Sequence, residues 1–103
     1  MSAKTQSSAT EKVLEREKIE PPRDYKVIYL NDDYTPMDFV VGSLIEIFNH
    51  DPQTAQDLTF EVHNSGSAVV AVLPYEIAEH KGVEVTLAAR GQNYPLEVKL
   101  EAE

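Results

Sequence analysis

The sequence predicts one small α+β domain in β-α-α-β-α-β order, a three-stranded antiparallel sheet packed by three helices. Three observations lead there. Strand-like runs stand at Tyr25–Leu30, Ala68–Leu73 and Leu96–Leu100, and proline-led helix signals fall between them. A length of 103 residues, 42% of them apolar, leaves room for one modest core and a tail.

The chain opens on a segment rich in Ser, Thr, Lys and Glu up to about Asp24. Its large aliphatic side chains after Met1 are Val13, Leu14 and Ile19, and Pro21-Pro22 stops any helix. Residues 1–24 are expected to form a mobile extension and residues 25–101 the folded core. Tyr25 to Leu30, YKVIYL, is β-branched and aromatic with one charge, and runs as a strand into the turn-forming Asn31-Asp32-Asp33.

A helix follows. Thr35 is placed as its N-cap, Pro36 suits the first helical position, and Asp38 supplies a carboxylate in the first turn. Met37, Val40, Val41, Leu44, Ile47 and Phe48 recur three and four apart, so one face belongs to the core despite Gly42. Asp51-Pro52 repeats the start signal for a second helix, whose inner stripe is Ala55, Leu58, Thr59 and Val62 and whose end falls near Asn64-Ser65-Gly66.

Ala68 to Leu73, AVVAVL, is a continuous apolar run of strand length, as expected of a central strand. Pro74 opens a third helix, predicted from about Tyr75 to Ala89 against the poor helix formers Gly82, Val83, Val85 and Thr86, with Gly91 as its stop. Leu96, Val98 and Leu100 then alternate with Glu97, Lys99 and Glu101, the period-two pattern of a strand with one wet face.

Charge and composition narrow the function. Eighteen acidic against nine basic residues give a formal charge of −9, and the first twenty residues are balanced at four and four. The excess therefore sits in the folded part, and no basic cluster offers itself to phosphates, so no nucleic acid partner is expected. Nor is a membrane, since no stretch has the length and apolarity of a signal peptide or span. The absence of cysteine excludes disulfides and thiolate chemistry and suits a cytoplasmic protein.

Two segments could carry chemistry. Asn31-Asp32-Asp33-Tyr34-Thr35-Pro36-Met37 sets three side-chain acceptors between a strand and a helix, which is what a turn with a cap requires and also what a cation site requires. Val62-His63-Asn64-Ser65-Gly66 ends the second helix, where His63 is either a favourable charge or a ligand group. The three histidines, His50, His63 and His80, have no metal-ligand spacing, and the acidic cluster lacks the alternating ligands of a calcium loop, so no metal or other cofactor is expected. Asp32 or Asp33 with His63 could form an acid/base pair, but no nucleophile elbow or phosphate loop accompanies them and no enzyme is predicted. Asn oxygen, Asp carboxylate and neutral imidazole are all acceptors, whereas an ammonium has only donors. An amino terminus fits them.

YKVIYLNDDYTPMDFV, followed in order by VHNSG, YEIAEHK and YPLEVKLE, resembles the ClpS adaptors over about residues 22 to 101. The resemblance implies the same β-α-α-β-α-β domain, which is ribosomal-stalk-like in shape. It also implies a monomeric receptor for N-degrons that delivers proteins beginning with Leu, Phe, Tyr or Trp to the N-terminal domain of ClpA, or of ClpC, for degradation with ClpP. Carried over residue by residue, the α-amino contacts fall on Asn31, Asp32 and His63. The side-chain pocket falls on Asp33, Thr35, Met37, Val40, Thr59, Val62 and Leu96, and the unfoldase docking surface on Glu76, Glu79 and Lys81. The family's tail is engaged by the unfoldase, a role that would fall on residues 1–24. The chain departs from the family at Thr59, where many members have Met, and at Ala71 and Pro74 in place of Gly and Thr.

Overall fold

The computed structural model describes residues 23–103. Their elements are β1 (Asp24–Leu30), α1 (Met37–Glu46), α2 (Pro52–Ser65), β2 (Ser67–Pro74), α3 (Tyr75–Gly91) and β3 (Glu97–Ala102), in the order predicted. The expected extension lies outside the described residues, apart from its last two.

The sheet is antiparallel, but its order is β2-β1-β3, so the apolar run Ala68–Leu73 forms an edge strand and not the central one. A β-bulge explains the misleading pattern. Val27 pairs with Ala71 and Ile28 with Val69, leaving Val70 as the extra residue. One extra residue reverses the in-out alternation. Ala68 and Val70 are buried, and beyond the bulge Ala71 and Leu73 pack on the same core, whereas Val69 and Val72 are 42% and 41% exposed. Two inward-facing sets, spliced out of phase, read as one unbroken apolar run. His50 donates from Nε2 to the Val70 carbonyl at 2.7 Å, which fixes the bulged residue to the segment between α1 and α2.

The three helices cover one face of the sheet. Val27 and Tyr29 of β1 meet Leu44 of α1, Ala55 of α2, Val85 and Ala89 of α3 and Leu96, all fully or almost fully buried. One polar chain crosses this core. The Tyr29 hydroxyl lies 2.7 Å from Ser43 Oγ, and Ser43 in turn donates to the Val40 carbonyl at 2.8 Å, so both buried hydroxyls are satisfied. Burial pushes the Tyr29 phenol above its ordinary range, outweighing the Ser43 bond. Val85, a poor helix former, is retained in α3 because its side chain is wholly inside the core.

Helix boundaries follow the sequence signals with two corrections. α1 starts at Met37 and has no side-chain cap, because the N-cap position falls on Pro36, not Thr35, which stands one residue earlier and gives its hydroxyl proton to Asp32 Oδ2 at 2.8 Å. α3 runs to Gly91, but the left-handed residue that turns the chain is Asn93 (φ 64°), not Gly91. α2 agrees with its signals at both ends: Asp51 accepts the Thr54 amide at 3.3 Å, Pro52 is the first residue, and Gly66 (φ 89°) closes it. Among the described residues no helix is long and apolar enough to cross a membrane.

Candidate functional site

The two segments singled out from the sequence meet where β1 ends and α2 ends. The Asn31 amide donates to the Gly66 carbonyl at 2.9 Å, which draws the loop after β1 against the last turn of α2. Gly66 can offer that carbonyl because its left-handed backbone turns the chain from helix into β2.

Asp32 organises the loop. Its Oδ1 accepts the amides of Tyr34 and Thr35 at 2.8 and 2.7 Å, and its Oδ2 accepts the Thr35 hydroxyl at 2.8 Å. Desolvation pushes the Asp32 carboxyl up, but the Thr35 and Tyr34 amides, the Thr35 hydroxyl and the charge of Arg90 together outweigh it and hold the group below the usual carboxylate range. A carboxylate has about four acceptor sites, so three bonds leave it ionised with capacity for one more donor.

Beside Asp32 lies a cavity of about 280 Å³. Its exposed rim is Asn31, Asp33 and His63, with Asp32 and Thr35 half-buried among them and Met37 38% exposed. Its depth is made by Val40, Thr59 and Val62, which are 6%, 3% and 3% exposed. Thr59 spends its hydroxyl proton on the Ala55 carbonyl at 2.7 Å, the preceding turn of its own helix. Acceptors thus ring the mouth and short side chains close the floor.

The structure brings together every predicted amino-group and pocket residue except Leu96. That side chain continues the inward set of β3 and is 1% exposed in the core, away from the cavity lining. The predicted docking residues do not share one face. Glu76 and Glu79 are exposed on α3, and Glu79 accepts the Tyr75 hydroxyl at 3.0 Å. Lys81 lies about 200° around the helix from Glu79, half-buried, donating to the Ile47 carbonyl at 2.7 Å and held over the Phe48 ring. Its ammonium closes the end of α1.

Two residues that shape the site went unread in the sequence. Gly66 was visible as a helix stop, but not as the anchor of Asn31. Arg90, in the last turn of α3, donates to the Tyr94 and Leu96 carbonyls at 2.8 and 2.9 Å and adds its charge near Asp32. Its only sequence signal is a cation at a helix C-terminus. Among the described residues no three His, Cys, Asp or Glu side chains converge as a metal site would need.

Comparison with known proteins assigns the chain to a family. The family model described as ATP-dependent Clp protease adaptor protein ClpS matches residues 20–99. The ClpS adapter of Treponema denticola is 49% identical over 85 residues, 82% of this chain and 84% of that protein. The ClpS adapter of Clostridium acetobutylicum is 45% identical over 100 residues, 97% of each. Among solved structures, Agrobacterium tumefaciens ClpS2 bound to L-phenylalaninamide superposes with a TM-score of 0.78 at 40% identity, covering 81% of this chain and all of that one. The chain belongs to the ClpS family of Clp protease adaptors.

Proposed function

We propose that this chain is a non-catalytic adaptor that holds the free amino terminus of N-degron proteins and delivers them to the ClpA-ClpP or ClpC-ClpP protease. One observation carries the reading: a single cavity joins a rim of acceptors to a buried floor of Val40, Thr59 and Val62. An α-ammonium donates to Asn31, Asp32 and the neutral ring of His63, while the first side chain enters between Val40, Thr59 and Val62. Burying a Leu or Phe side chain contributes about 1.5–3 kcal/mol. Each hydrogen bond to a charged group adds about 1.5–3 kcal/mol, so the amino group and the side chain contribute comparable parts of the affinity and neither suffices alone. The Agrobacterium relative supports the assignment, because its ligand pairs a free α-amino group with an aromatic side chain.

Delivery is assigned to the α3 surface of Glu76 and Glu79, with Lys81 acting from the helix's other side, and to residues 1–24 as the extension that the unfoldase engages. The adaptor works as a cytoplasmic monomer on substrates beginning with Leu, Phe, Tyr or Trp. Titration of a fluorescent peptide with free N-terminal Phe tests the central step. Acetylation removes the charge and two donors, and is expected to abolish binding. Equal affinity for the acetylated peptide refutes the assignment. Pulldown against the isolated ClpA and ClpC N-terminal domains identifies the unfoldase.

A further inference from the structure

We propose that the Thr59 hydroxyl reads a hydrogen-bond donor on the bound side chain, so that the pocket ranks Tyr above Phe as the first residue. The assignment rests on the cavity being the first-residue pocket. Of the three side chains that make its depth, Val40 and Val62 carry no polar atom and Thr59 carries one. The Thr59 proton is committed to the Ala55 carbonyl at 2.7 Å. The hydroxyl is therefore satisfied when the occupant is purely apolar, and with its proton committed the only role left to it toward an occupant is that of acceptor, through its unused lone pair. It can take a hydrogen bond but has none to give.

This asymmetry decides which occupants suit the floor. Phe leaves no group of the pocket unpaired and is accepted. Tyr brings an O–H that would be stranded in an all-apolar pocket, and Thr59 is the one floor residue with an oxygen to receive it. A hydrogen bond made to a pre-set group in a water-poor pocket is worth about 2- to 10-fold in affinity. The rejection of an analogue that lacks a partner follows the same logic.

The test compares matched peptides that begin with Tyr, Phe or 4-fluorophenylalanine, titrated against the full chain and against Thr59→Val and Thr59→Ser. Wild type is expected to bind Tyr about 2- to 10-fold tighter than Phe, and to bind 4-fluorophenylalanine, which fills the same space without a donor, like Phe. Thr59→Val keeps nearly the same volume and loses the acceptor, so the Tyr-to-Phe affinity ratio falls to parity or below, whatever the change in the two affinities themselves. Thr59→Ser restores the preference. A Tyr-to-Phe ratio unchanged by Thr59→Val, or 4-fluorophenylalanine binding like Tyr in wild type, overturns the assignment of Thr59 while leaving the first-residue pocket standing. Absence of binding by every free amino terminus overturns the pocket itself and this assignment with it.

Discussion

Removing either end of the buried Tyr29–Ser43 hydrogen bond should have unequal effects, because the two hydroxyls are satisfied differently. Ser43 donates to the Val40 carbonyl, so the Tyr29 phenol is the donor in the bond between them. Tyr29→Phe deletes that donor and leaves Ser43 still bonded to Val40, at a cost of about 1 kcal/mol. Ser43→Ala leaves a phenol O–H stranded inside the core, at a cost of about 1–3 kcal/mol, offset by about 0.5 kcal/mol because Ala is the better helix former. Adding Tyr29→Phe to Ser43→Ala removes the stranded group, so the double variant is expected to be more stable than Ser43→Ala alone. Urea unfolding at constant m measures the cycle, and each kcal/mol shifts the melting temperature by about 4–8 °C in a domain of this size. A double variant less stable than Ser43→Ala would refute the assigned direction of donation.

Other outcomes follow from single positions. Gly42→Ala, where an added Cβ meets nothing within 4 Å, should raise stability by about 0.5–1 kcal/mol. Gly66→Ala should lower it by about 1–2 kcal/mol and weaken peptide binding through Asn31, and a thermal melt beside a titration shows both. Asp32→Ala should weaken binding of a free amino terminus about 10- to 100-fold, and unchanged affinity would remove Asp32 from the site. The folded-state carboxyl of Asp32 titrates below its unfolded value of about 3.9, so its contribution to stability is present above that pH and lost as pH falls through the lower folded value. The difference in urea midpoint between wild type and Asp32→Asn should therefore hold from pH 7 to about 4 and shrink below it. A gap that widens in acid would reverse the sign.

Element order was legible because its punctuation is local. Asp51, Pro52 and Gly66 each act on their own backbone, and the structure uses them as the sequence predicts. The misreadings share a different cause. Strand position in the sheet depends on partners, and the run Ala68–Leu73 imitated a central strand because a bulge at Val70, invisible without the ladder, switches its phase. Thr35 had the right type for a cap, but the helix starts one residue later than its signals suggested, with Pro36 at the cap, and Thr35 turns its hydroxyl to Asp32 instead. The site was legible as two clusters of acceptors. Their convergence comes from the β1–β2 pairing, Leu30 opposite Ser67, and the backbone bond from Asn31 to Gly66 that continues it, neither of which side-chain spacing encodes. The burial of Leu96 in the core and the bond from Lys81 to the Ile47 carbonyl were illegible for a related reason: which neighbour a side chain meets around a strand or helix is settled by packing.

The bulge in β2 also bears on what this chain does at high concentration. Ala68–Leu73 is six residues rich in Val, without charge or proline, the composition that stacks into cross-β fibrils, and among the described residues it is an edge strand of the sheet. A second strand arriving there would need a continuous row of backbone partners. It meets a ladder broken at Val70, a Val70 carbonyl already held by His50, and a strand that ends on Pro74, which has no amide hydrogen to offer. The irregularity that hid the topology from the sequence thus spoils this edge as a template for aggregation.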